Sequence, residues 1–519
     1  MSSTLPPYVQ AMLSPEIYPQ KPASVELLQT QMSFIFIAGD YTYKTKKPVN
    51  LGYLDYTTLE QRERLCRQEL ELNRRLSPAA YLDVVPISQT GQGFHLGGKD
   101  NIIEYAVKMK TLPRDRMMDV LLPADRVTPD MLKQVALKMA DFHSHAATDD
   151  NISRFGSLDA IKINAKENFD QTEKYIGKII PQRVYSFIKE NSWKFIEDNQ
   201  ALFQQRVASG KIRDCHGDLH AQHVCFAQDD IYIYDCIEFN DRFRYCDVAS
   251  EISFLSMDID RYGRADLSRI FTDAYITASR DSGIAELMRY YKCYMAYVRG
   301  KVACFKYDDP YLKDKEALRN EARLYFNLAF RYCNTKPCMV IVTGLIGAGK
   351  TTAANRIGRA LGCDVLSSDV IRKQLAGQPL TEQRYDKFDT GLYSPEFTQK
   401  TYDELFKQGR ERITEGQSVI LDASFKKKTD RLAAQKLAEE NEACFLAVEC
   451  TADEHTIKKR LDERQKRGSV SDGRWEIFAD IKRGFEPVTE FKDINHLILD
   501  TAHSSGNINA LILERLTKI

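Results

Sequence analysis

Residues 344–351 read Gly344-Leu345-Ile346-Gly347-Ala348-Gly349-Lys350-Thr351, and this stretch decides the fold of the C-terminal part of the chain. It matches the pattern G-x-x-x-x-G-K-S/T at every fixed position. The apolar run 340–342 precedes it, and a helical pattern over 352–361 follows it. This strand–loop–helix context predicts a phosphate-binding P-loop, in which glycines let the backbone wrap around the phosphate while N–H groups at the helix start point inward.

The side chains of this loop predict how a nucleotide is held. Lys350 places a positive charge at the β- and γ-phosphates, and the Thr351 hydroxyl binds Mg²⁺. The alternative is a glycine-rich turn without a ligand, which the combination of motif and context disfavours. The predicted nucleotide-binding residues are Gly344, Gly347, Ala348, Gly349, Lys350, Thr351 and Thr352, with Lys350 also catalytic.

Asp369 and Arg372 follow the predicted strand 364–368 and favour transfer of a phosphoryl group to an acceptor. A carboxylate at the carboxyl end of a strand faces the ligand crevice of an open α/β sheet, so we expect Asp369 to accept the proton of an attacking hydroxyl. Arg372, one helical turn later, is predicted to bind an anionic group of the acceptor. The alternative is a helix-capping Asp beside a surface Arg.

Asp422 and a group of arginines complete the predicted C-terminal site. Asp422 ends an apolar strand pattern, as expected of a carboxylate that orients Mg²⁺ through water, and a helix cap is the alternative. Arg460, Arg464 and Arg467 recur along one predicted helix before a glycine- and serine-rich loop. We expect a lid in which Arg460 and Arg464 stabilise developing phosphoryl charge, with a solvated basic face as the alternative.

Strands and helices alternate after a boundary at 334–337, which predicts a parallel sheet covered on both faces. With the GLIGAGKTT loop, the SSDVIR element, the VILDAS strand and the arginine-bearing lid, this pattern resembles the small P-loop kinases that phosphorylate hydroxyls. These include polynucleotide 5′-kinases, gluconate-type sugar kinases and zeta-toxin-like kinases. The resemblance covers 338–519 and implies phosphoryl transfer without specifying the acceptor.

A second motif lies in the N-terminal part, where His216-Gly217-Asp218-Leu219-His220 is followed by a strand pattern ending in Tyr234-Asp235. An Asp on a loop that orients a hydroxyl, with a second Asp about 17 residues later that holds Mg²⁺, is the arrangement of protein kinases. Upstream, strand patterns and one helical pattern over 58–76 predict a small lobe, and mainly helical patterns continue to residue 333.

Residues 30–333 resemble aminoglycoside phosphotransferase-like kinases, which share the protein-kinase fold. By this resemblance Asp218 would be the catalytic base and Asp235 a metal-binding residue. Lys44 would bind the phosphates, and Glu69 would position Lys44.

The resemblance also implies that the backbone around Glu104 and Ala106 contacts the base of the nucleotide. Two features of this N-terminal part leave alternatives open. Lys46 has the same strand parity as Lys44 and could be the phosphate-binding lysine. The family has an Asn metal ligand five residues after the catalytic Asp, whereas this chain has His223, a less natural ligand for Mg²⁺ than a carboxamide oxygen. Either His223 binds the second metal, or one metal suffices, or this lobe transfers phosphate poorly.

A zinc site is the competing interpretation of one tight cluster in this region. Its spacing fits no common zinc frame, and the two aspartates already explain the loop. The cluster consists of Cys215, His216, His220, His223 and Cys225.

Bulk properties limit the function further. A chain of 519 residues predicts two or three domains, and its formal net charge of +0 argues against a large nucleic-acid-binding surface. No secretory signal and no apolar run long enough to cross a bilayer is present, and the 12 cysteines include no CxxC pair. We therefore expect a cytoplasmic protein with reduced thiols, no membrane contact and no obligate protein partner.

The whole chain resembles bacterial fusions of an aminoglycoside phosphotransferase-like domain with a P-loop kinase. The expected fold class is an α+β, protein-kinase-like bilobal domain at 26–333, after a lead-in segment at 1–25, followed by an α/β P-loop kinase domain at 338–519. The expected function is a two-site phosphotransferase that uses Mg²⁺ and ATP or GTP. A nucleotide-controlled regulatory protein and an antibiotic-resistance kinase are the alternatives.

Overall fold

The structure, a computed structural model, describes residues 5–91, 93–310, 312–379, 391–467, 474–503 and 508–519, without the side chains of 464–467. These residues form two compact units. Unit 1 comprises Met1–Glu167, Lys194–Asp258 and Leu267–Lys292, and unit 2 comprises Asn168–Trp193, Ile259–Asp266 and Cys293–Ile519.

The first sheet belongs to unit 1 and has six antiparallel strands in the order β1-β2-β3-β6-β4-β5. A helix preceding the sheet contributes to its core, where Val9 and Met12 pack with Phe36 and Tyr43. The elements are α1 (Pro7–Ala11), β1 (Glu26–Gln29), β2 (Ser33–Ala38), β3 (Tyr41–Lys46), α2 (Leu59–Arg74), β4 (Tyr81–Thr90), β5 (Gly93–Leu96) and β6 (Ile102–Lys110).

The chain from 118 to 333 is mainly helical, interrupted by two short antiparallel strand pairs, β7 with β10 and β8 with β9. The helices are α3 (Met118–Leu121), α4 (Pro129–His145), α5 (Asp150–Ser153), α6 (Leu158–Thr172), α7 (Gln182–Asp198), α8 (Gln200–Ala208), α9 (Asp241–Arg244), α10 (Val248–Arg261), α11 (Ala265–Ser279), α12 (Ile284–Asp308) and α13 (Lys315–Cys333). The strands are β7 (Ile212–Asp214), β8 (Val224–Phe226), β9 (Ile231–Ile233) and β10 (Tyr245–Asp247).

The second sheet, in unit 2, has five parallel strands in the order β12-β13-β11-β14-β15. Its strands are β11 (Cys338–Thr343), β12 (Asp364–Ser367), β13 (Val419–Asp422), β14 (Cys444–Thr451) and β15 (His496–Asp500). The helices are α14 (Lys350–Leu361), α15 (Ser368–Leu375), α16 (Pro395–Thr414), α17 (Lys428–Glu440), α18 (Glu454–Arg467), α19 (Phe478–Arg483) and α20 (Ile508–Leu516).

The central strand β11 shows why its sequence is apolar throughout. Val340 and Val342 pack into the core on one face, and Met339 and Ile341 pack into a separate core on the other face. A parallel strand with helices on both sides is buried on both faces, so its residues form a continuous apolar run. The predicted fold class, a kinase-like α+β part followed by an α/β P-loop part, is confirmed.

Among the described residues, no helix combines the length and apolarity that crossing a bilayer requires. All 12 cysteines carry unbridged thiols.

A buried ion network in unit 1 generates a stability prediction. The Arg206 guanidinium contacts Asp247 at 2.7 Å and Asp281 at 2.6 Å, and all three side chains are almost fully buried. Removing one partner of a buried pair leaves uncompensated charge and costs about 3–5 kcal/mol. We expect Arg206→Met to lower the melting temperature of the full chain markedly in calorimetry.

Lys194→Met is the matched control, because Lys194 forms an exposed pair with Asp198. Such pairs contribute about 0.2–1 kcal/mol. Equal melting temperatures for the two variants would contradict the assigned role of Arg206.

Candidate active sites

The C-terminal candidate site lies at the carboxyl edge of the parallel sheet. Strand β11 leads directly into the P-loop, and its register places Val342 opposite Asp422 on β13. Asp422 in turn lies opposite Ser367, the last residue of β12, which Asp369 follows in the first turn of α15. The P-loop, Asp369 and Asp422 therefore all lie at the carboxyl ends of neighbouring strands. Open α/β sheets bind their ligands at this edge.

The backbone of the P-loop requires glycine. Gly344, Gly347 and Gly349 have φ values of 137°, 73° and 84°, a backbone region that residues with a side chain rarely adopt. A Cβ atom at Gly344 would lie 2.4 Å from the carbonyl oxygen of Cys450. Lys350 begins α14, and its Nζ donates to the carbonyl of Leu345 at 2.9 Å. Lys350, at the start of α14, therefore contacts the loop through its side chain, as the motif predicts.

Arg460 of α18 is connected to the P-loop through Thr501. Its Nη1 donates to the Thr501 hydroxyl at 2.8 Å, and its Nη2 donates to the Thr501 carbonyl at 2.9 Å. The same hydroxyl donates to the Ala348 carbonyl at 2.8 Å. Sequence reasoning missed Thr501, although its position directly after the last strand of the sheet was a usable signal. The side chains of Arg464 and Arg467 lie outside the described residues.

Arg372 is buried instead of lying on the surface. Its Nη1 donates to the Leu392 carbonyl at 2.6 Å, and its guanidinium lies 4.8 Å above the centre of the Tyr393 ring. These contacts connect α15 to the segment before α16. Asp369 is half-buried in the same helix, and Asp422 is buried. The acceptor-binding role of Arg372 stays a prediction.

The N-terminal candidate site lies wholly within unit 1 and centres on Lys44. Lys44 Nζ is 2.5 Å from Asp235 Oδ1 and 2.9 Å from Glu69 Oε1. Lys46 Nζ also contacts Glu69, at 2.7 Å, but its other ion pair is with Glu238. Of the two lysines, Lys44 is therefore the one that joins Glu69 to the second motif Asp.

These ion pairs shift the pKa of both carboxyl groups in the same direction. Burial by itself raises the pKa of Glu69, but Lys44 and Lys46 outweigh it, and the net pKa is lowered. Burial likewise opposes ionisation of Asp235, and Lys44 again outweighs it and lowers the pKa. Both groups are carboxylates at neutral pH, as binding of a metal or a lysine requires.

Glu104 and Ala106 lie inside β6, where the sequence interpretation expected a connection to the nucleotide base. Ala106 is paired with Thr45 of β3 on one side and with Val85 of β4 on the other. Neighbouring strands therefore flank its backbone on both sides. The Glu104 carboxylate accepts from Arg62 Nε at 2.8 Å. Because β6 leaves the sheet only after Lys110, the structure does not favour a base contact at Glu104 or Ala106.

His223 lies between the two motif aspartates. Its Nδ1 is 2.9 Å from the Asp218 carbonyl oxygen, and its Nε2 is 3.6 Å from Asp235 Oδ2. Burial lowers the pKa of His223 to about 4, with His220 contributing in the same direction. The imidazole is therefore neutral at physiological pH and is able to act as a metal ligand.

A buried pair that sequence reasoning missed holds the Asp218 loop. The Glu251 carboxylate accepts from the backbone N–H groups of His216 at 2.8 Å and Gly217 at 2.7 Å. His143 Nε2 lies 2.7 Å from the same carboxylate, and His143 Nδ1 lies 2.7 Å from the Tyr275 hydroxyl. Both residues come from helices distant in sequence, so no local motif revealed them.

The cluster considered for zinc does not converge. Among the described residues, Asp218, His220 and His223 form one group of ligand atoms, and Cys215 groups with His143 and Glu251 instead. Cys225 belongs to neither group.

Residues 339–488 match the family model of the AAA domain. The chain is 29% identical over 455 residues to uncharacterized proteins of Mycobacterium tuberculosis and Mycobacterium bovis, which covers 88% of this chain and 89% of theirs. Among solved structures, a choline/ethanolamine kinase family protein from Mesorhizobium loti aligns at 11% identity over 63% of this chain and 98% of that chain, with a TM-score of 0.37. A gluconokinase from Sinorhizobium meliloti aligns at 19% identity over 35% of this chain and 94% of that chain, with a TM-score of 0.26.

The family match confirms the predicted P-loop domain. Together with the loop geometry and the sheet order, it supports the general prediction that the chain is a phosphotransferase.

The buried His143–Glu251 pair predicts a pH dependence of stability. Burial lowers the pKa of His143, but its contacts with Cys215 and Glu251 outweigh burial and raise the pKa from 6.5 to about 9. A raised pKa contributes stability that is present below pH 6.5 and lost as the pH rises through about 9. We expect His143→Gln to remove this decline, about 3 kcal/mol, from urea unfolding curves across that window.

The exposed His145 supplies the control, because His145→Gln should keep the wild-type decline. The assignment fails when wild type and His143→Gln lose stability equally over the window.

Proposed function

We propose that the chain is a phosphotransferase with two nucleotide sites, each using a divalent metal ion with ATP or GTP, and with Mg²⁺ at the P-loop. In the C-terminal domain, 338–519, the P-loop binds the triphosphate and a hydroxyl acceptor receives the γ-phosphoryl group. The acceptor class is a polynucleotide 5′-hydroxyl, a sugar or another small hydroxyl compound. The N-terminal domain, 26–333, uses Asp218, Asp235 and Lys44 at the second site.

The observation that carries this proposal is the arrangement at the carboxyl edge of the parallel sheet. The positive-φ glycines and Lys350 form a phosphate cradle, and Asp422 ends the neighbouring strand. Thr351 and Asp422 are the oxygen ligands that Mg²⁺ prefers. In-line transfer relies on positioning and fixed charge, which this edge supplies from Lys350 and Arg460.

Asp369 distinguishes a kinase from a nucleotide switch. A switch needs nucleotide and metal contacts only, whereas a kinase also needs a group on the acceptor side that accepts the hydroxyl proton. Asp369 follows the end of β12, next to the strand that ends in Asp422. We assign Asp369 as the base that accepts this proton.

The regulatory alternative rests on one observation in the N-terminal part. Lys44, the predicted phosphate ligand, forms its 2.5 Å ion pair with the predicted metal ligand Asp235. In a sensor domain, a bound nucleotide would replace this ion pair, and no phosphoryl group would be transferred. Turnover at each site separates the two functions.

Two variants, each of which removes one nucleotide site, test the proposal that the sites are independent. Lys350→Ala removes a charge-assisted phosphate contact, so we expect nucleotide affinity at the P-loop to fall about 10–100-fold. Asp218→Ala should leave P-loop affinity unchanged, because Asp218 lies in the other compact unit. Titration of labelled ATP or GTP into each variant measures both.

Lys407→Ala, which removes an exposed lysine of α16, controls for nonspecific loss of charge. Equal loss of nucleotide binding in the Lys350 and Asp218 variants would refute two independent sites.

Asp369→Asn tests the assigned base. We expect transfer of label from γ-labelled nucleotide to a pool of cell metabolites and RNA to fall about 10²-fold, with little change in nucleotide affinity. Asp364→Asn is the matched control, since Asp364 begins β12, the strand that precedes Asp369, and pairs with Arg412 at 2.9 Å. An unchanged transfer rate in Asp369→Asn excludes Asp369 as the base.

A further inference from the structure

The hydrogen bonding of His223 determines which ring nitrogen carries the proton. A backbone carbonyl only accepts hydrogen bonds, so the 2.9 Å contact with the Asp218 carbonyl requires a proton on Nδ1. In the neutral ring the lone pair is then on Nε2. This atom lies 3.6 Å from Asp235 Oδ2, which is also a lone-pair atom.

The two atoms that face each other suit a shared cation. Lys44 contacts Oδ1 of Asp235, the other carboxylate oxygen. The Asp235 backbone is held at a φ of 64°, and its N–H donates to the Tyr81 hydroxyl at 3.1 Å. A metal ion at ~2.1 Å from each atom spans a 3.6 Å gap.

His220 is the neighbouring imidazole, and its bonding excludes it from the ligand set. The Gln222 N–H donates to His220 Nδ1 at 3.4 Å, which places the ring proton on Nε2. That Nε2 is the atom directed at Asp218, 3.4 Å from Oδ2. His220 therefore contacts Asp218 through its N–H, and His223 alone of the two rings presents a lone pair to Asp235.

We propose that His223 Nε2 and Asp235 Oδ2 bind a first-row transition ion, with Mn²⁺ preferred over Mg²⁺ at the N-terminal site. Mg²⁺ prefers oxygen ligands, whereas imidazole nitrogen favours transition ions. A ligating His that donates its other N–H to a backbone carbonyl is the usual support for such a site, and His223 has it. Nucleotide phosphate oxygens and water complete the coordination, so this inference rests on the proposed N-terminal nucleotide site.

Pulsed electron paramagnetic resonance of bound Mn²⁺ tests the nitrogen ligand directly. The experiment uses the full chain carrying Lys350→Ala, which weakens the P-loop site, with Mn²⁺ and a non-hydrolysable ATP or GTP analogue. We expect imidazole nitrogen coupling in this background, its loss in His223→Asn, and its retention in His220→Asn and in the exposed control His145→Asn. Absence of nitrogen coupling, or its loss in His220→Asn, overturns the assignment.

Metal competition supplies a second measurement that does not depend on turnover. The ratio of Mn²⁺ to Mg²⁺ affinity should fall about tenfold in His223→Asn, because an amide oxygen replaces the nitrogen. An unchanged ratio in a variant with wild-type circular dichroism refutes the preference. Nitrogen coupling without phosphoryl transfer would refute N-terminal catalysis and support the metal site. Phosphoryl transfer without nitrogen coupling would support N-terminal catalysis and refute the metal site.

Discussion

Charged groups in the interior of a protein have to be paired, and this requirement shapes the N-terminal site. Lys44 and Lys46 are adjacent on one strand face and divide three carboxylates between them, with Glu69 shared. Glu251 is buried between His143 and the backbone of the Asp218 loop. Because an unpaired buried charge costs several kcal/mol, removing one member of either group destabilises the fold around its partners. Loop, strand and helix therefore hold their positions together.

The C-terminal site is held by a different constraint, which is the backbone. Its phosphate cradle depends on left-handed glycine conformations and on the carbonyl of Cys450, which leaves no room for a side chain at Gly344. Arg460 of α18 and Thr501, which directly follows the last strand, then fix the loop through hydrogen bonds. Such a loop binds phosphate through N–H groups that every sequence possesses, so its specificity for an acceptor has to come from residues outside the loop.

The two parts differ in how far they depart from the families that they resemble. The P-loop matches its pattern throughout, whereas the N-terminal loop has His223 in place of an Asn. The structure gives this exchange a consequence, since the Asp218 carbonyl orients the ring and turns its Nε2 towards Asp235. The residue that raised doubt about catalysis in the sequence thus has, in three dimensions, a ring nitrogen with a defined direction.

The sequence by itself determined the strands of the P-loop part and the helix that follows the loop, because continuous apolar runs and a glycine motif are local signals. It also pointed to Asp218 and Asp235 as candidate site residues, and the family resemblance added Lys44 and Glu69. Only the tertiary structure showed that Lys44, and not Lys46, pairs with Asp235, placed Glu104 and Ala106 inside a central strand, and buried Arg372 against Tyr393. It alone revealed Glu251, His143 and Thr501. Motifs reveal functional residues that are close together in the sequence. Charge pairing and strand order, in contrast, join residues that are far apart in the chain.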